Sequence, residues 1–135
     1  MRITPEKITK LENNQIFVFG SNQSGRHGKG AARTALQWGA IYGQAEGLQG
    51  KTYAIPTKDK SIKKTLKIHE IKIYVDAFID FAKGHTAFIF LVTEIGCGLA
   101  GLKPKEVAPL FTRAKEVENI CLPKRFWDNL KENEN

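Results

Sequence analysis

Cysteine is scarce in this chain. Cys97 and Cys121 are its only two thiols in 135 residues, too few for a disulfide framework, so both are expected to be reduced. Histidine is almost as rare. His27, His69 and His85 show no metal-ligand spacing with one another or with the thiols, and no metal or other cofactor is expected. Long apolar runs are missing too. The longest, Ala87–Val92, is far too short to span a bilayer. Residues 1–7 hold no stretch of signal-peptide type. The expectation is a cytoplasmic protein with no membrane partner. Internal repeats and low-complexity linkers are also absent, and 135 residues suit one domain rather than two.

What is present supports a packed core. Apolar residues make up 41% of the chain and charged residues 26%, a balance unlike that of disordered segments. Twenty-one Lys and Arg against fourteen Asp and Glu leave a net charge of +7, which favours anionic partners without choosing among them. The excess is local. Lys58, Lys60, Lys63, Lys64 and Lys67 fall within ten residues, opposed only by Asp59. Such a run suits nucleic-acid phosphates as well as plain solvation.

Along the chain, residues 1–14 read as a polar lead-in. Ile16-Phe17-Val18-Phe19 reads as a buried strand ending at Gly20, and Ser21–Lys29 as a loop. A helix is expected from Gly30 to about Ile41. A second strand spans Thr52–Ile55 and is expected to stop at Pro56. Ile68–Lys83 carries Ile71, Tyr74, Val75, Phe78 and Ala82 at helical spacing, with Gly84 as its stop. Ala87–Val92, apolar on both alternating faces, suits a central strand. After the loop Thr93–Lys103, Pro104 opens a helical stretch over Lys105–Lys115. Asn119–Leu122 is a last short strand. Residues 124–135 read as a C-terminal tail with a turn of helix at Phe126–Leu130. Strands alternating with helices predict an α/β domain with a largely parallel sheet and helices on both faces. Ligands of such sheets bind at the carboxyl ends of the strands.

Two glycine-rich loops leave those ends. The first runs Gly20-Ser21-Asn22-Gln23-Ser24-Gly25-Arg26-His27-Gly28-Lys29-Gly30 and leads into Ala31-Ala32. Its glycines let backbone amides approach a ligand, and the helix start behind them favours an anion. The order G-x-x-G-x-G is not the dinucleotide fingerprint, and Arg26-His27 stand where a Walker loop needs Lys-Ser/Thr. Asn22 can orient a sugar hydroxyl or serve as a turn residue. His27 reads as a surface or ligand-facing polar group and a candidate base. The second loop, Thr93-Glu94-Ile95-Gly96-Cys97-Gly98-Leu99-Ala100-Gly101, can form an amide nest for a diphosphate. Cys97 is a candidate nucleophile or a small packed thiol.

Read together, these segments resemble the macrodomains, modules that bind ADP-ribose. The resemblance covers about Gln15 to Pro123 and implies a three-layer α/β/α sandwich with a mixed, largely parallel sheet. Phe17–Asn22 and Gly28–Ala32 look like the family's first strand, distal-ribose loop and helix start. Tyr53–Lys58 looks like the middle strand with its adjoining loop. Ile95–Leu102 looks like the phosphate loop, in the form carried by terminal ADP-ribose glycohydrolases and by antitoxins that strip ADP-ribose from DNA.

That resemblance implies ligand contacts from Gly20, Ser21, Asn22, Gly28, Gly30, Ala31, Pro56 and Thr57, and from Ile95 through Gly101. It further implies that Lys58, in Pro-Thr-Lys, stands where the subgroup's nucleophilic lysine attacks the anomeric carbon. An amine does this when its proton is removed, and the neighbouring charge of Lys60 favours that loss. Some members carry a helping aspartate where this chain has Ala100; Asp59 and Glu94 are candidate substitutes. Four activities remain open: hydrolysis of an ADP-ribosyl link on protein or nucleic acid, a non-catalytic ADP-ribose reader, a basic nucleic-acid-binding module, and a phosphatase of ADP-ribose 1″-phosphate.

Overall fold

The computed structural model describes residues 1–132. Its centre is a five-stranded sheet. The strands are β1 (Gln15–Asn22), β2 (Gly47–Gln49), β3 (Thr52–Lys58), β4 (Ile89–Val92) and β5 (Ile120–Cys121), in the order β2-β3-β1-β4-β5. All neighbours are parallel except β2, which runs antiparallel to β3. β1 is therefore the middle strand, and β4 sits one place toward the edge.

Alternation along the strands divides the core. Ile16, Val18, Tyr53, Ile55, Phe90, Val92 and Ile120 face one side, where they meet α2 (Ile68–Lys83), the 107–114 segment and α4 (Lys124–Glu132). Phe17, Phe19 and Ala54 face the other, against Ala32, Ala35 and Ala40. The first face is broad and aromatic, with Phe78 edge-on to Phe90 at 5.4 Å between centroids. The second is built of small residues that let α1 (Gly30–Ala35) lie close to the sheet.

α2 begins and ends where the spacing of its apolar residues predicts. The Glu70 carboxylate accepts the Lys67 N–H at 3.0 Å, satisfying one donor of the first turn, and Gly84 ends the helix. Its buried face is Ile71, Val75, Phe78, Ile79 and Ala82; Tyr74 is only half-buried. Other expectations need correction. The helix at Gly30 ends at Ala35 and passes through a 3-10 turn at Leu36–Trp38, because Gly39 enters the left-handed region at φ 99°. β3 does not stop at Pro56 but runs through it to Lys58. β2 covers β3 only as far as Ala54, so Pro56 lies where that side of β3 is an edge and a missing N–H breaks no ladder there.

The short edge strand β2 was hidden among glycines in the sequence. Past Pro104, which does open α3 (Pro104–Val107), the chain tightens into a 3-10 stretch at Ala108–Glu116. The polar lead-in is also tied down: Ile3 bridges Leu122, and the Trp127 indole donates to the Arg2 carbonyl at 2.8 Å. Residues 124–132 form a helix with Phe126, Trp127 and Leu130 buried, rather than a tail; residues 133–135 lie outside the described residues. No helix among the described residues is long and apolar enough to cross a membrane.

Candidate functional site

Both glycine-rich loops and the end of β3 meet at the carboxyl ends of the parallel strands, around one cleft of about 670 Å³. Gly20, Ser21, Asn22, Gly28, Gly30 and Ala31 line it from the first loop, Thr57 and Lys58 from β3, and Ile95, Gly96, Gly98, Leu99 and Ala100 from the second loop. Pro56, Cys97 and Gly101 are not on its wall, and neither is His27. Ala32 lines it beside Ala31, and sequence reasoning missed Arg26, Lys29, Tyr42, Ile62 and Thr93. Arg26, Lys29 and Tyr42 are all exposed. Tyr42 was invisible because it reaches the cleft from a segment with no motif.

A register irregularity places Lys58. Between Ser21 and Asn22 the β1–β3 pairing skips one residue, so Ser21 lies opposite Pro56 but Asn22 opposite Lys58. The odd residue, Thr57, is buried and donates its hydroxyl to the Ser21 carbonyl at 3.2 Å. Such an extra residue bends a strand end and re-aims the side chains beyond it. After Lys58 the chain turns back in a tight hairpin, with the Asp59 N–H donating to the Lys64 carbonyl at 2.9 Å. The Asp59 carboxylate accepts from the Ser61 hydroxyl at 2.6 Å and the Ser61 N–H at 3.0 Å. The Ser61 hydroxyl, then the backbone and Lys64, hold that carboxyl below its usual range. Asp59 is thus committed to its own turn. Lys60, Lys63, Lys64 and Lys67 are exposed on and just beyond this hairpin.

The first loop is braced from within. Asn22 Oδ1 accepts from the Arg26 N–H at 2.9 Å and the Ser24 hydroxyl at 2.8 Å, while Asn22 Nδ2 donates to the Arg26 carbonyl at 2.9 Å. Asn22 therefore closes the turn while still lining the cleft. His27 departs from the sequence expectation of a surface or ligand-facing group. It is fully buried, with its ring edge-on to Phe19 at 5.2 Å and Nε2 bonded to the Gln44 carbonyl (3.1 Å) and Gln49 Oε1 (3.0 Å). Phe19 and the buried Gln49 wall the imidazole off from solvent. Its Nδ1 has no partner among the described residues.

The second loop has the opposite character. Its backbone turns on Gly96 (φ 78°), whose carbonyl accepts the Leu102 N–H at 2.8 Å. A Cβ at Gly96 would lie 3.2 Å from Leu102 Cδ1, so only glycine fits without a shift. The amides of Gly98, Leu99 and Ala100 donate to no protein acceptor among the described residues. Leu99, 65% exposed, reaches across the cleft: its Cδ1 lies 3.4 Å from where a Cβ on Gly30 would sit. Burial raises the Cys97 thiol to about 11, with Glu94 adding to the rise, so it is a packed thiol rather than a ready nucleophile.

Among the described residues, Glu94 is the one carboxylate on the cleft wall. Arg125 grips it with two hydrogen bonds of 2.6 Å and holds its carboxyl below the usual range. Glu94 and Thr93 also belong to a second cavity of about 780 Å³, lined by Ile3–Ile8, Phe17, Thr34, Pro123, Lys124 and Arg125. The cleft and this groove thus share a wall. Within the groove, Thr4 is buried with a hydroxyl that has no partner among the described residues. No group of three or more His, Cys, Asp and Glu able to hold a metal occurs among the described residues. Comparison with family models, with curated proteins and with solved structures gives no match to this chain.

Proposed function

We propose that the cleft binds ADP-ribose, in a three-layer α/β/α arrangement of macrodomain type. One observation carries the reading: three unbonded amides, Gly98, Leu99 and Ala100, border a cleft shared with the first glycine loop and Lys58. Consecutive free N–H groups suit a diphosphate, whose charge they meet without a salt bridge. Arg26, Lys29 and Lys58 make the surrounding field positive. In this reading the distal ribose lies between the Asn22 turn and Lys58. The nucleoside end extends past Thr93 and Glu94 into the adjoining groove, whose apolar walls suit a base. A volume of about 670 Å³ falls within the range of small-molecule sites.

The test is calorimetric titration with ADP-ribose, using Gly98→Glu as the control. A Cβ at Gly98 meets nothing within 4 Å, and the backbone there is not left-handed. The glutamate is therefore accommodated by the fold while bringing negative charge to the amides. Micromolar binding in the wild type, lost in the variant, is the expected result. No binding by the wild type overturns the reading.

A second reading adds hydrolysis, favoured by the placing of Lys58 opposite Asn22. The neutral amine would attack the anomeric carbon, the bond to the acceptor would break, the acceptor would leave with a proton, and water would then release the sugar from lysine. Neither Asp59, bound into its own hairpin, nor Glu94, gripped by Arg125, is a free acid to assist. Retention of full turnover by Lys58→Ala would exclude this mechanism and leave the cleft a reader.

A further inference from the structure

Among the described residues, Ile62 is the one non-glycine residue in the left-handed region, at φ 58°. The turn that puts it there is closely bonded. Its N–H donates to the Asp59 carbonyl at 3.0 Å, and the Lys63 N–H donates to the Ser61 hydroxyl at 3.1 Å. A hairpin of this kind takes glycine or asparagine at its left-handed place, because a branched side chain there crowds the backbone. Isoleucine is among the residues least suited to it. The hairpin does not relax, since its base is tied to both loops of the cleft. Lys58 bridges Thr65, the Gln23 N–H donates to the Lys58 carbonyl at 2.9 Å, and the Thr65 hydroxyl donates to the Ala100 carbonyl at 2.6 Å. Core packing does not account for the strain either: Ile62 is only half-buried and belongs to neither apolar core. Strain that a fold maintains without need of it for packing points to function.

What the side chain does reach is the cleft, whose wall it shares with Lys58. Most of that wall suits an anion, with Arg26, Lys29 and Lys58 as cations and the Gly98–Ala100 amides as unbonded donors. An aliphatic group set against a phosphate strips water from the charge and returns no hydrogen bond. Ile62 is therefore matched to a part of the ligand that presents carbon. Lys58 starts the hairpin that carries Ile62, so this part lies at the Lys58 end of the cleft. In the ADP-ribose reading the group at that end is the distal ribose. A pentose ring carries its ring hydroxyls on one face and C–H groups on the other, and the C–H face is the one an isoleucine can cover without stranding a polar group.

Resting on the ADP-ribose reading, we propose that Ile62 determines specificity at the sugar end: its side chain packs on the C–H face of the distal ribose, so the cleft prefers a nucleoside diphosphate that carries a second sugar to one that ends in phosphate. The experiment titrates the full chain with ADP-ribose and with ADP, and follows urea unfolding, for wild type, Ile62→Gly, Ile62→Asn and Ile62→Val. Glycine and asparagine both suit the left-handed turn and lack the apolar group, whereas valine keeps a branched aliphatic. Loss of about half the burial of an isoleucine corresponds to a drop of about ten-fold. The expected result is that Ile62→Gly and Ile62→Asn each weaken ADP-ribose by about ten-fold and ADP by less than about three-fold. Ile62→Val recovers most of the ADP-ribose affinity. The urea midpoints of the glycine and asparagine variants stand at or above that of the wild type, because the turn is relieved. Equal losses on ADP-ribose and ADP would mean that Ile62 shapes the cleft as a whole, and would overturn the proposal. So would unchanged ADP-ribose affinity, a loss that valine does not repair, or lowered urea midpoints, which would return the strained residue to the service of the fold. Failure of the wild type to bind ADP-ribose is a separate outcome. It removes the parent reading, and this one with it.

Discussion

The two glycine-rich loops face each other across one cleft but use their side chains differently. The first is rich in side chains that look made for a ligand, and the fold turns most of them inward. Asn22 closes its own turn, Ser21 donates to the Ala45 carbonyl at 2.6 Å, and His27 is buried against Gln44 and Gln49. The second loop offers few polar side chains, and what it presents to the cleft is backbone: the consecutive Gly98, Leu99 and Ala100 amides have no protein partners among the described residues. The Gly28 and Lys29 amides of the first loop are likewise without partners among the described residues, so the contrast lies in the side chains. The first loop uses most of its own as braces, and the second has few to use.

The sharpest way to break this contrast is at Gly25, where the first loop touches the 41–44 turn. A Cβ there would run into the Gly43 carbonyl carbon and lie 2.7 Å from the Gln44 nitrogen, at a φ of +71°. Gly25→Ala is expected to cost about 3 kcal/mol or more, through strain and forced backbone movement. A lowered urea midpoint would register it, together with loss of ligand binding. An unchanged midpoint would show that the two segments are not locked together.

His27→Ala should come next, at about 2–3 kcal/mol, because it opens a cavity and removes a partner of Gln44 and Gln49. If His27 were instead a catalytic base, the variant would keep its thermal midpoint and lose only turnover.

By contrast, Gly98→Ala in the second loop should change stability by under about 0.5 kcal/mol, since its Cβ meets nothing. Thermal melts of the two variants side by side would sharpen the contrast between the loops.

A small, pH-dependent effect is expected at the wall shared by cleft and groove. Arg125 holds the Glu94 carboxyl below its unfolded value, so the pair's contribution is present above that value and is lost as pH falls through the lower, folded one. Both side chains are substantially exposed, at 62% and 36%, which screens the interaction. Arg125→Ala should lower the urea midpoint only slightly at pH 7, and the difference from wild type should vanish once pH has fallen below the folded value of Glu94. A difference that persists in acid would assign the cost to packing instead.

Much of the scaffold was legible in the residues themselves. Helix α2 could be read because its apolar spacing is strict and its stop is a glycine, and both facts are local. The strands β1 and β4 could be read from short apolar runs. What escaped depended on distant partners. Pro56 reads as a terminator, yet β3 passes through it because β2 has already ended. The helix at Gly30 looked longer because Ala35, Leu36 and Trp38 fit a helical face; Gly39 cuts it short.

The site was legible in outline, since glycine loops at strand ends announce themselves. The role of each side chain was not. The sequence order places His27 beside a loop of glycines, and nothing local says that Gln49, twenty-two residues on, buries it. Tyr42 could not be found from a motif, because its place on the cleft depends on the same tertiary bonds.

Leu99 has a consequence for timing. Its side chain leans across the cleft, with Cδ1 3.4 Å from where a Cβ on Gly30 would sit, and it is 65% exposed. Under the proposed reading, a phosphate approaching the Gly98–Ala100 amides passes this side chain. Shortening it to alanine is then expected to speed binding and release alike, with little change in the charge of the cleft.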